Sequence, residues 1–451
     1  MTLLNENARQ YLENIIRGRF NSLFMLHEIS YGCLAIRLDG TDQTIVFDHV
    51  VSDLFSKFQD NIPCAKWNAV KEGFIPPIDD DIPAPGASLL QLPLIEQTRK
   101  GYTIHYDILR VSLWILSRQE EVGSKVLDMH GRFPASSSHA FKYKYLDRPI
   151  VDEWFCILGQ VIKRLWPQIQ LTTRSFSVEV SHDVDFPSRY AFASAAQLFR
   201  RMGADLMKRY DYRSLLLAPW LWVSGCRHLS RCDPMNSFDW IMDISEKYGI
   251  KSSFYFICGK TSGLDSDYEI EHSAIRDLIR RIHLRKHIIG LHPSYNSCSN
   301  AGAIFSEASK LVRICLEEGI EQETWGARMH YLRGEQPATL NLLAKAGFSY
   351  DCSLGYADMA GFRCGTCFEY PGFDPVAQAI IDIRVRPLIA MECSVIDSCY
   401  MGLGVSEEAF LYFKHLKNAA RAVGGCFTLL WHNSELDSKS KRLMYVDILN
   451  A

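Results

Sequence analysis

From about residue 172 onward, short apolar runs alternate with amphipathic helical stretches, and this alternation limits the fold more than any other feature. "FSVEV" (176–180), "IKSSFYFIC" (250–258), "HIIGLH" (287–292), "ETWGAR" (323–328), "FSYDCS" (348–353) and "CFTLLWH" (426–432) read as strands. Helical stretches such as "SFDWIMDISEKYG", "HSAIRDLIRRIHLRK" and "EEAFLYFKHLKNAARAVG" lie between them. Strands separated by helices lie side by side as a parallel sheet, and six of them are most economically a (β/α) barrel. Chemistry in such barrels collects at the C-terminal ends of the strands.

The chain before residue 172 reads differently. "TIVFDHVVSDLF" is a strand turning into a short helix, "DDDIPAPGAS" an acidic, proline-bearing loop, and "YDILRVSLWILSRQEEV" and "VDEWFCILGQVIKRLW" are helices. Arg118, Glu120 and Glu121 are expected to be exposed charges ending the first of these helices. Pro167 and the polar "TTRS" mark a boundary, giving a smaller mixed α/β domain over 1–171 and the barrel over 172–451.

Composition narrows the function. A formal net charge of -3 provides no basic field for nucleic acid. The first twenty residues are polar and helix-like, without the apolar core of a secretory signal, so a cytoplasmic location is expected. The 14 cysteines lack regular spacing and fit reduced thiols, with the "CGTC" pair Cys364 and Cys367 read as loop thiols. "CRHLSRC", from Cys226 to Cys232, lacks zinc-site spacing. No run reaches the roughly 18 apolar residues needed to cross a bilayer. The segment from Phe199 to Arg231 combines basic residues with "LLLAPWLWV". It reads as a buried insertion helix with a solvated basic edge, peripheral membrane contact being the alternative.

The ionisable groups fall where the barrel reading puts chemistry. His182, Asp183 and Asp185 end the first strand, His292 the third, Arg328 and His330 the fourth, and His432 the last. Each alone is weak; their agreement in position makes a candidate site.

These residues carry a resemblance. From about 172 to 434 the chain resembles the polysaccharide deacetylase, or NodB-homology, family of metal-dependent amide hydrolases. "SHDVD" matches its TFDDG or FDxD motif, "HPSYN" its HxxxH, "RMHY" its RxPY, and "TLLWH" its final apolar run ending in histidine. The N-terminal third resembles the accessory domain found ahead of such domains. The resemblance implies a distorted (β/α) barrel of the NodB type, a divalent metal, with zinc the expected ion, and an N-acetylated carbohydrate substrate. By this resemblance Asp183 is the general base and Asp185 and His292 are metal ligands. Arg328 holds Asp183 ionised, the backbone N–H near Tyr331 faces the oxyanion, and His432 is the general acid.

Two motif positions depart from the family: Asn296 stands for the second histidine of HxxxH, and His330 for the proline of RxPY. The missing ligand is sought among Asn296, His330 and His182. Strand alternation turns His182 away from Asp183 and Asp185, toward the helix layer, and ranks it last. Tyr295, Tyr356 and Trp431 are candidate sugar-stacking residues. The leading function is removal of an N-acetyl group from an amino-sugar or polysaccharide precursor. Hydrolysis of a cyclic amide or ureide, or carbohydrate binding without catalysis, are the alternatives.

Overall fold

The computed structural model describes residues 4–22, 24–29, 32–48, 62–172, 174–225 and 228–451. Its N-terminal strands are β1 (Phe24–Glu28), β2 (Leu34–Leu38), β3 (Thr44–Phe47), β4 (Cys64–Asn68), β5 (Asp81–Pro85), β6 (Ile95–Thr98) and β7 (Gly101–Ile104). Five form a mixed sheet in the order β1-β2-β3-β7-β6, while β4 and β5 pair separately. The strand expected at "TIVF" is β3, and the short helix expected after it lies outside the described residues. The proline-bearing stretch expected to be a loop instead contributes β5, antiparallel to β4. A strand with one ladder neighbour owes that neighbour only every second N–H, so Pro83 and Pro85 are tolerated there. The expected helices form at Ile108–Leu116 and Ile150–Leu165; the second brings Trp154 onto Trp67 of β4, ring centroids 5.6 Å apart.

The later strands are β8 (Ser177–Val184), β9 (Ser253–Ile257), β10 (Ile288–His292), β11 (Gly326–Ala327), β12 (Tyr350–Asp351), β13 (Tyr370–Asp374), β14 (Ala379–Val385), β15 (Ala390–Met391) and β16 (Cys426–Leu430). They form one sheet in the order β13-β14-β12-β11-β10-β9-β8-β16-β15. The six strands expected from sequence are its contiguous, wholly parallel centre. From β8 to β12 each strand is added on the same side of its predecessor, and β16 returns to the other flank of β8, which is the winding of a (β/α) barrel. Among the described residues the ladder nevertheless has two ends, β13 and β15, with no rung joining them. What is observed is a mixed α/β structure around a large parallel sheet. The β13–β14 hairpin and the two-residue β15 carry no period long enough to read from sequence.

One apolar core runs from Ala8 to Leu449 and joins the two regions. The helix Glu6–Phe20, capped by the Asn5 side chain, places Tyr11 against Phe373 of β13, centroids 4.7 Å apart. Nor are the charges after the helix Ile108–Leu116 exposed: Arg118 is 2% exposed. Its guanidinium donates to Glu121 at 2.7 Å and Glu120 at 2.9 Å, to the Arg363 carbonyl and, at 3.1 Å, to the Tyr356 hydroxyl. Arg363 grips Glu121 from the other side at 2.8 Å, so these charges form a buried cross-link between the N-terminal region and the sheet. Cys364 and Cys367 are free thiols in the loop before β13, as expected, and both are buried there; Cys226 lies outside the described residues. The segment expected to bury an insertion helix forms two helices, Ala195–Ala204 and Tyr212–Ser224, that leave much of their apolar surface exposed. Among the described residues no helix is long and apolar enough to cross a membrane.

Candidate active site

The parallel strands end at one edge, and the ionisable residues meet there. Asp183 closes β8 beside Val184, Asp185 follows it, His292 ends β10, and Arg328 and His330 lie just after β11. His432 follows β16, and Glu392 opens a short helix directly after β15. These elements line an open cavity of about 290 Å³, whose walls include Asp183, Asp185, His292, His330, Tyr331 and His432.

Asp185 stands at the centre. Its Oδ1 is 3.3 Å from His292 Nε2, and its Oδ2 is 3.8 Å from His330 Nε2 and 3.6 Å from His432 Nε2. Two of these imidazoles are aimed from behind. His292 Nδ1 lies 2.5 Å from the Arg328 carbonyl, and His330 Nδ1 lies 3.0 Å from Asp265 Oδ1. Each ring thereby turns Nε2 inward, the orientation that carboxylate and carbonyl partners impose on metal-binding histidines. Ligand atoms of Asp185, His292 and His330 lie within 4.8 Å of one another, and the buried Asp185 Oδ1 has no hydrogen-bond partner. One carboxylate and two imidazoles, which bind a metal once deprotonated, suit zinc and other divalent transition metals and leave room for water or substrate. The residues present therefore fit a divalent metal.

Two ion pairs flank this centre. Arg328 donates to Asp183 Oδ1 at 3.3 Å and to the Cys352 carbonyl at 3.1 Å, with its charged plane 4.9 Å from the Tyr255 ring. Opposite, His432 Nδ1 lies 2.5 Å from Glu392 Oε1, which also accepts the His432 backbone N–H at 2.9 Å. Burial disfavours charge on His432, but the Glu392 carboxylate outweighs it and holds the imidazole pKa well above its ordinary value. Burial likewise opposes charge on His330, yet Asp185 and Asp265 raise it to about 9. Burial alone would raise the Asp185 carboxyl, but His330 and His292 outweigh it and hold it well below the usual range.

Asn296 is placed elsewhere. It is exposed, its amide nitrogen donates to the Thr261 carbonyl at 2.9 Å, and its oxygen accepts from Arg333 at 3.3 Å. The turn after Pro293 carries it outward from His292, and His330 stands at the third position. His182 faces the helix layer, where its ring stacks on Phe254 and its Nδ1 meets the Trp431 carbonyl at 2.6 Å. The aromatic candidates scatter. Tyr356 is buried against Arg118, Trp431 is fully buried against Phe413, and Tyr295 lies under Arg333 with its hydroxyl 2.9 Å from His130. None of the three lines the cavity, whereas Phe186, Tyr331 and Tyr400 do. Tyr331 and Leu332 adopt left-handed backbone, φ 61° and 53°, a conformation that costs a bulky residue roughly 1 kcal/mol or more.

Sequence reasoning missed Glu392, Asp265, Cys393 and Arg132. Glu392 and Cys393 follow a two-residue strand with no readable period; with His432 they form a second group of closely spaced ligand atoms. Asp265 sits in the loop after β9, and its only signal was that position. Arg132 belongs to the N-terminal region yet lines the cavity, donating to the Tyr331 carbonyl at 3.0 Å and pairing with Asp128 at 2.7 Å.

Comparison with known proteins adds little to this geometry. A family of unknown function, DUF7033, matches residues 25–167. No curated protein matches. Among solved structures, a "putative polysaccharide deacetylase" from Mycobacterium smegmatis is 16% identical with a TM-score of 0.41, over 62% of this chain and 84% of that one. Puue Allantoinase is 12% identical with a TM-score of 0.37, over 61% and 84%. A "probable Polysaccharide deacetylase" from Pseudomonas aeruginosa PAO1 is 11% identical with a TM-score of 0.36, over 61% and 84%. Overlaps this slight leave the functional reading to the residues themselves.

Proposed function

We propose that this chain is a metal-dependent hydrolase of a non-peptide C–N bond that removes the N-acetyl group of an amino sugar, using a distorted barrel of the NodB type. The observation that carries this reading is the convergence of Asp185, His292 and His330 on one point, between the Asp183–Arg328 and Glu392–His432 pairs. A divalent ion held by those three residues, zinc by the chemistry of the donors, would polarise the amide carbonyl and acidify a water.

The remaining steps belong to the chain. Asp183, oriented by Arg328, takes the proton of the attacking water. His432, kept protonated by Glu392, gives a proton from Nε2 to the departing amine. Arg132 holds the Tyr331 carbonyl, fixing the left-handed turn whose backbone N–H would face the developing oxyanion. The test is acetate release from N-acetylated amino sugars by purified protein, alongside elemental analysis. About one equivalent of transition metal and acetate release abolished by Asp183→Asn are expected. Metal-free protein that neither binds zinc nor releases acetate would overturn the reading.

A further inference from the structure

The helices Ala195–Ala204 and Tyr212–Ser224, joined through a π-helical turn at Asp205–Arg209, form a hairpin after the loop that begins at Asp185. Its inner side is fastened. Leu198, Ala218 and Leu221 bury against Tyr190 and Ala193 in a cluster separate from the main core, and Trp222 donates to the Ala193 carbonyl at 2.7 Å. At its exit, a Cβ on Gly225 would meet the Ala191 Cβ at 2.3 Å, so the hairpin closes tightly on its base.

The outer side is apolar. Tyr212, Leu216, Trp220 and Val223 follow at i, i+4, i+8 and i+11, one stripe of the second helix, with Leu216 81% exposed. Phe199, Leu206, Met207 and Tyr210 add a comparable exposed row, Phe199 at 71% and Met207 at 73%. A soluble surface seldom gathers eight large exposed apolar side chains on one hairpin without an occupant for them.

The charges identify the occupant. Asp205 and Asp211 both turn inward to Arg189, and Arg201 is consumed by Asp267. Arg200, Lys208 and Arg213 are exposed and make no ion pair with a described residue. The outer face is therefore apolar and aromatic with a cationic fringe. That combination matches the interface of an anionic bilayer, in which Trp and Tyr sit at headgroup level and Lys and Arg meet lipid phosphates. We propose that this hairpin docks the protein flat on an anionic membrane surface. Neither helix is long enough to cross it. The docking assumes nothing about the chemistry at Asp185.

The test is co-sedimentation of the full chain with neutral phosphatidylcholine vesicles and with vesicles enriched in phosphatidylglycerol. Binding to the anionic vesicles alone, weakened by salt, is expected. Leu216→Asp combined with Trp220→Asp should weaken it about tenfold, and so should Arg200→Gln, Lys208→Gln and Arg213→Gln together. Because these side chains are exposed, both variants should melt like the parent. No binding of the parent to anionic vesicles at low salt overturns the proposal, as does undiminished binding by the Asp variant. A solution dimer that the Asp variant dissolves, without vesicle binding, assigns the face to a second copy instead.

Discussion

Asp265 and Glu392 each orient, and help to charge, one of two histidines that look alike in sequence. Asp265 turns His330 so that Nε2 faces Asp185, and Glu392 charges His432. Asp185→Ala and His292→Ala should each abolish metal retention, whereas Asn296→Ala should leave it intact because its amide is engaged by Thr261 and Arg333; elemental analysis after dialysis checks all three. Glu392→Gln should lower kcat about 10- to 100-fold with the fold unchanged. It should also move the alkaline limb of the kcat profile to lower pH. His432 acts protonated, and loss of the carboxylate that raises its pKa lets the proton leave sooner. At this scale the sequence was legible in position, where ionisable groups end strands: Asp183, Asp185, His292 and His432 meet in one cavity. It failed at Asn296 because spacing of four residues implies a shared face only if the segment is helical, and residues 293–296 turn instead. The aromatics failed for a related reason: Trp431 and His432 are neighbours on an extended segment and so point opposite ways.

Among the elements, two strands depend on glycines that a period-2 reading passes over. A Cβ at Gly290 of β10 would meet the Tyr255 ring at 2.4 Å, and one at Gly326 of β11 would meet the Tyr350 ring at 2.1 Å. The bare backbone lets these tyrosines lie across their neighbours, where Tyr255, Tyr350 and Cys352 form their own small cluster. Gly326→Ala should destabilise by about 1–3 kcal/mol, read as a lower urea midpoint. Gly290→Ala should in addition lower kcat, because Tyr255 lies against Arg328, which holds Asp183. The six parallel strands were legible because buried apolar runs bounded by helical stretches have one economical arrangement. Strands of two residues, β11, β12 and β15, have no period at all, and the first two were found only because apolar or aromatic residues extend the run on either side.

Across the whole molecule, the least legible feature is how closely the two regions are joined. "SRQEEV" reads as a solvated helix end, since charge burial depends on partners far away in sequence. Arg363 supplies the partner, and with Arg118 it outweighs the burial of Glu121, bringing its carboxyl down to about 2. A carboxyl depressed in the folded state contributes stability above its unfolded pKa, about 4.5, and loses it as pH falls toward 2. The full contribution is about 3 kcal/mol. Glu120, which burial raises, works in the opposite direction over its own titration. Thermal melts from neutral pH into acid should therefore show a Tm decline that is shallower in Glu121→Gln, which starts from a lower neutral value. The same joining reaches the cavity through Arg132, which grips the Tyr331 carbonyl from outside the sheet. A chain without the residues before the sheet would lose Arg132 from the wall of its cavity and leave Arg363 buried without the Glu121 carboxylate, although the stretch joining the two regions looks like a simple linker.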